Sequence, residues 1–244
     1  IYVFLQRIFV ECMMSFRNLK GKVNAIKKTD MQLLNKQKMK RMGFKMKICC
    51  LGDSLTEGDY GIYGKSGIGN VHAENYPYYL HLFSGAQVMN FGKCGYTSSS
   101  YLNFYDEGNV DLNGCDIIII MLGTNGGLDP AGDTKENADF ETLIDRCRRD
   151  CPDAEIVLCT PPHVTENPEY SNCGYAERVK KAVKWVREKA KSDNVKLIDV
   201  AGYDLFCDEN EHIMQPNDGL HFGKTGYINL AAYIYDGLSE FSLI

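Results

Sequence analysis

Hydrophobic positions along the chain follow two alternating periods. Short apolar runs bounded by turn residues occupy 47–51, 86–91, 115–122, 155–160 and 195–200, each of strand length. Between them lie segments with helical spacing, at 73–84, 97–104, 136–150, 173–192 and 225–241. In the fourth of these, Ala176, Val179, Val183 and Val186 recur at intervals of three and four, marking one apolar stripe of a helix. Alternation of strands and helices predicts a parallel sheet covered on both faces. The unbroken run Ile117–Ile120 suits a central strand with no solvent side.

This pattern begins only at residue 46. Residues 1–45 carry 11 Lys and Arg against 2 acidic residues, leaving 16 basic and 30 acidic residues for the remainder. The first 45 residues are expected to be a basic extension, flexible or foreign to the natural protein, because Met46-Lys47 would make a natural start just before the first strand. Residues 46–244 are expected to be one catalytic domain. The acidic body disfavours nucleic acid as a substrate, since phosphates would be repelled, and suits a neutral or cationic small molecule. No apolar run reaches 18 residues, so neither a membrane span nor a membrane partner is expected. Ten cysteines in 244 residues do not make a disulfide scaffold, and no second Cys/His pair completes a zinc spacing around Cys147 and Cys151. Many free thiols fit a reducing compartment, hence the cytoplasm.

The chemistry gathers where the strands end, which in a parallel sheet is where ligands collect. The first strand stops at Gly52-Asp53-Ser54-Leu55, placing Ser54 on a turn at the sheet rim. There it is either a helix N-cap or an exposed nucleophile. The second strand ends Asn90-Phe91-Gly92-Lys93-Cys94-Gly95-Tyr96-Thr97, where the glycines allow a sharp turn with exposed N–H groups. The third ends Gly123-Thr124-Asn125, whose amide closes an Asx-turn or faces a developing oxyanion. Before the last helix stands Asp218-Gly219-Leu220-His221. Asp and His three apart on a tight loop can meet, with the carboxylate on Nδ1–H and Nε2 left as a general base. His163, after the fourth strand, is the reserve base. Tyr60, Tyr63, Tyr76, Tyr78 and Tyr79 follow the nucleophile and read first as a helix–sheet interface, second as a carbohydrate-facing surface.

Taken together and in this order, the four blocks resemble the GDSL esterases and lipases, specifically the SGNH hydrolases, from about Met46 to the C-terminus. The resemblance implies a flavodoxin-like three-layer α/β/α fold with five parallel strands in the order 2-1-3-4-5. It implies Ser54 as nucleophile, His221 as base and Asp218 as its orienting acid. The oxyanion hole would be formed by Ser54, Gly95 and Asn125. No metal or organic cofactor is called for. The implied activity is a serine esterase acting on small acyl groups, acetyl first, with O-acetylated carbohydrate among the candidates. An acyltransferase passing the acyl group to a sugar hydroxyl, or a binding module that kept the fold, are the alternatives. One residue departs from the pattern: the family usually has Asp after the third-block Asn, where this chain has Gly126.

Overall fold

All five apolar runs become strands of a single parallel sheet. The computed structural model describes residues 45–63 and 69–244; the basic segment 1–44, and the expectation attached to it, lie outside the described residues. The strands are β1 (Lys47–Gly52), β4 (Gln87–Gly92), β5 (Ile117–Met121), β6 (Glu155–Cys159) and β7 (Lys196–Ile198). Between β1 and β4, a short antiparallel ribbon is formed by β2 (Asp59–Tyr63) and β3 (Gly69–Val71). The helices are α1 (Ser54–Glu57), α2 (Tyr76–Ser84), α3 (Ser98–Asp106), α4 (Lys135–Asp150), α5 (Ala176–Ser192), α6 (Glu211–Met214) and α7 (Lys224–Glu240). The large sheet runs β4-β1-β5-β6-β7. Counting its strands alone, this is the expected order 2-1-3-4-5.

Burial explains the sheet's sequence. Along β1, Ile48 and Cys50 enter one core while Cys49 and Leu51 enter the other. Along β5, Ile117, Ile119 and Met121 face the first core, and Ile118 and Ile120 the second. Period-two alternation between two buried faces leaves no polar position, hence the continuous apolar run. Helices α2 and α7 cover the first face through Tyr76, Leu80, Tyr227 and Leu230. The second face is covered by α3, α4 and part of α5 through Tyr101, Phe140, Leu143 and Trp185.

Two features differ from the sequence reading. The run starting at Cys115 becomes strand only from Ile117, although Asp116 already donates its N–H to Lys47 O (2.8 Å) while its side chain accepts the Lys47 N–H (2.8 Å). The β2–β3 ribbon was not expected at all. Its residues are glycine-rich and short of apolar alternation, so no strand period announces them.

Register sets the strand ends level. Gly52 pairs with Gly92 on one side and with Met121 on the other. The segments that follow β1, β4 and β5 therefore leave the sheet at one edge, with β1 central among them, at the point where the strand order reverses.

Candidate active site

Asp53 caps α1, its Oδ1 accepting the Leu55 N–H at 3.1 Å. This turn lifts Ser54 to the first helical position, where backbone N–H groups have no partner within the helix. Asp53 thus shapes the turn. Burial pushes its carboxyl up to about 6, with the Leu55 N–H opposing.

From the other end of the chain, the Asp218–His221 loop reaches Ser54. Asp218 Oδ1 accepts the N–H groups of Leu220 (3.0 Å) and His221 (2.8 Å), which folds the loop back on itself. Asp218 Oδ2 lies 2.7 Å from His221 Nδ1. A carboxylate can only accept there, so Nδ1 carries the hydrogen and Nε2 is the basic nitrogen. Nε2 stands 2.9 Å from Ser54 Oγ. All three side chains are nearly sealed, with Ser54, Asp218 and His221 at 4%, 2% and 7% exposure. Burial works against the charged imidazole, but the Asp218 carboxylate, then Asp59 and Asp53, raise His221 above its ordinary value. Burial likewise opposes the Asp218 charge, yet the His221 side chain and the two loop N–H groups hold that carboxyl below its usual range.

The loop is fixed on several sides. Gln215 Nε2 donates to Leu220 O (2.9 Å) and to His163 O (2.7 Å). Asn217 Nδ2 donates to Tyr60 O (2.7 Å), tying the loop to β2. His163, the reserve base, is turned elsewhere: its Nε2 lies 2.7 Å from Asp208 Oδ1.

The other two rim segments are anchored to the nucleophile turn or to each other. Glu57, at the end of α1, accepts the Cys94 N–H (2.5 Å) and the Lys93 ammonium (3.3 Å), fixing the loop that carries Gly95. Burial opposes the Glu57 charge, but these donors hold its carboxyl below the ordinary value. Asn90 Nδ2 also donates to Thr56 O (2.8 Å). Gly95 itself is exposed, with φ +77°. Asn125 Nδ2 donates to Tyr96 O at 3.0 Å, joining the β5 loop to the residue after Gly95. An amide carries two hydrogens, so this bond leaves a second for a ligand. Among the described residues no hydrogen bond links Ser54 directly to Gly95 or Asn125. Their relation to it comes from strand register and these anchors.

A family model for GDSL-like lipases and acylhydrolases matches residues 50–227, which span every block named above. The chain belongs to the GDSL-like lipase/acylhydrolase family. As a member it is a carboxylic ester hydrolase. Solved structures share the family fold at low identity. One is a lipase/acylhydrolase from Enterococcus faecalis, 22% identical, covering 80% of this chain and 96% of its own, with a TM-score of 0.60. Another is an aryl esterase from M. smegmatis, at 17% identity, 82% and 100% coverage, and a TM-score of 0.62. A carbohydrate acetylesterase from Sinorhizobium meliloti gives 19%, 81% and 100%, and 0.59. No curated protein sequence matches the chain significantly.

The family member departs from the usual pattern at Gly126, and the structure shows what stands in that space. Gly126 has φ +91°, and a Cβ there would lie 3.1 Å from Arg178 Cδ. Arg178 Nε donates to Thr124 O (3.2 Å), and its guanidinium stacks 3.2 Å above the centre of the Tyr175 ring. The residue before Asn125 is thus held from α5. Sequence reasoning missed Arg178, Glu57 and Asp59, because none carries a local motif. Among the tyrosines, Tyr60, Tyr76 and Tyr79 are core residues and Tyr78 is exposed; the Tyr63 side chain lies outside the described residues. No helix among the described residues is long and apolar enough to cross a membrane.

Proposed function

We propose that the protein is a serine esterase for small acyl groups, acetyl first, carried on hydroxylated alcohols such as sugars. The observation that carries the reading is the unbroken chain from Asp218 Oδ2 to His221 Nδ1 and from His221 Nε2 to Ser54 Oγ, at 2.7 and 2.9 Å. A binding module has no need of a base aligned on a buried serine.

Ser54 Oγ attacks the ester carbonyl carbon while His221 Nε2 takes its proton. Asp218 orients the ring and stabilises the imidazolium. The oxyanion is received by the N–H groups of Ser54 and Gly95 and the second amide hydrogen of Asn125. The bond from carbonyl carbon to alcohol oxygen then breaks, and the proton on Nε2 goes to that oxygen. A water gives its proton to Nε2 and attacks the acyl-enzyme. Ser54 leaves with the proton, and the free acid departs. The described cysteines are all unpaired, which supports a reducing compartment such as the cytoplasm.

The acyl preference rests on the absence of a long apolar lid segment in the sequence and on the fold shared with a carbohydrate acetylesterase. A panel of nitrophenyl esters graded from acetyl to octanoyl, with Ser54→Ala as blank, tests it. The expected profile falls steeply beyond acetyl. A maximum at octanoyl overturns the acyl assignment, and full activity in Ser54→Ala overturns the mechanism.

A further inference from the structure

Asp59, the first residue of β2, is a buried carboxylate that the mechanism above does not use. It is 4% exposed, as Ser54 is, and it stands beside the base. Its Oδ1 accepts the Gly61 N–H at 2.9 Å, and its carbonyl accepts the Tyr227 hydroxyl at 2.7 Å. Both contacts fix the residue in place and leave Oδ2 turned to the site. Oδ2 lies 3.9 Å from His221 Nε2, too far for a hydrogen bond. Its other neighbour is the Cys94 thiol, also at 3.9 Å and a weak donor. A buried carboxylate oxygen ordinarily gathers strong donors, and among the described residues none is supplied here.

The missing donor can come from the substrate. His221 Nε2 hands its proton to the oxygen of the departing alcohol, so that oxygen must come within hydrogen-bond reach of Nε2. A group 3.9 Å from Nε2 is therefore within reach of a substituent on that alcohol. In a vicinal diol the neighbouring hydroxyl is three bonds from the ester oxygen, through O–C–C–O, a span that carries it from the proton donor to the carboxylate. An alcohol without such a hydroxyl would cover Oδ2 and leave it unpaired, which a buried acceptor resists.

We infer that Asp59 determines specificity for the alcohol half of the substrate, its Oδ2 accepting a hydrogen bond from a free hydroxyl adjacent to the scissile ester. The substrate class is a monoacyl ester of a polyol or sugar with an unesterified neighbouring hydroxyl. Asp59 binds that hydroxyl and takes no proton from it. The inference rests on the esterase reading of Ser54 and His221.

The test compares two acetates of the same ring, the monoacetate of cis-1,2-cyclohexanediol and cyclohexyl acetate, by kcat/KM. Wild-type protein is expected to prefer the diol ester by roughly ten- to a hundred-fold, the range of a hydrogen bond to a charged group. In Asp59→Asn and Asp59→Ala the ratio of the two rates should collapse towards one, whatever either change does to the common chemistry. Equal wild-type rates on the two acetates overturn the inference, and so does a ratio that survives in both variants. The wild-type comparison stands even if a variant fails to fold. If Ser54→Ala hydrolyses both acetates at the wild-type rate, the underlying esterase reading has failed, and that outcome is distinct from a lost preference.

Discussion

Gly61 lies against the carboxylate of Asp218: a Cβ at position 61 would come within 2.6 Å of Asp218 Oδ2, the oxygen that holds His221. Its φ of +67° adds backbone strain for any other residue. Gly61→Ala is therefore expected to displace the acid as well as strain β2. The variant should lose about 1–2 kcal/mol of stability from the backbone alone. Its kcat on nitrophenyl acetate should fall by more than the stability loss explains. Thermal unfolding and kcat measured together check this; an active, equally stable variant would show that β2 gives way freely.

The three triad residues are expected to act as one unit. Ser54→Ala and His221→Ala should each cost about a million-fold in kcat, and the double variant no more than either single change. Asp218→Asn should cost about ten-thousand-fold, because the wrong tautomer then faces Ser54. Additive losses in the double variant would mean that the serine and histidine work separately.

Raised basicity of His221 sets the acid side of the pH profile. Only the neutral imidazole accepts the serine proton. A pKa above the ordinary 6.5 means the base is lost earlier as pH falls. Half-maximal kcat/KM is thus expected above pH 6.5. Asp218, Asp59 and Asp53 are the carboxylates that raise it. Removing one in Asp59→Asn should move the acid limb to lower pH, as read from kcat/KM profiles of the two proteins on nitrophenyl acetate.

Asp53 should leave its mark on stability. Burial raises its carboxyl from 3.8 to about 6, so between those values the folded chain binds more proton than the unfolded one. Stability from this group therefore falls as pH rises through that window, by about 3 kcal/mol for a two-unit shift. Asn also caps helices, so Asp53→Asn should keep α1 and remove the slope. Urea unfolding at pH 4 and pH 7 for both proteins measures it.

Arg178 is expected to position Asn125 through Thr124. Arg178→Ala should lower kcat more than it raises KM, with Arg178→Lys giving partial recovery at most, since Nε and the stacked plane are both lost. In the otherwise unchanged chain, Gly126→Asp, which restores the usual family residue, should not raise activity. At φ +91° and against Arg178, the new side chain is strained. A rise in activity for Gly126→Asp would contradict this reading.

Much of this was legible in the sequence because it was written in periods and strings. The strands announce themselves through residues such as Ile117–Ile120, buried on two faces at once. Ser54, Asp218 and His221 sit in short motifs whose spacing already matches their geometry. Asp59 and Gly61 were invisible for the opposite reason. Their importance lies in contacts with residues more than 150 positions away, Asp59 with His221 and Gly61 with Asp218, and no local period records these. Arg178 is in the same position: on α5 it reads as one more basic residue between the apolar stripe positions Val179 and Ala176.

Ser54 and His221, hydrogen-bonded in the finished fold, are separated by 167 positions. During synthesis the nucleophile therefore leaves the ribosome 167 residues before the base. Until residue 221 has emerged, the serine lacks that hydrogen-bond partner, and a fragment ending sooner is expected to be hydrolytically silent even where its sheet has formed. Ester turnover in a series of truncated chains would then report when residue 221 has been added.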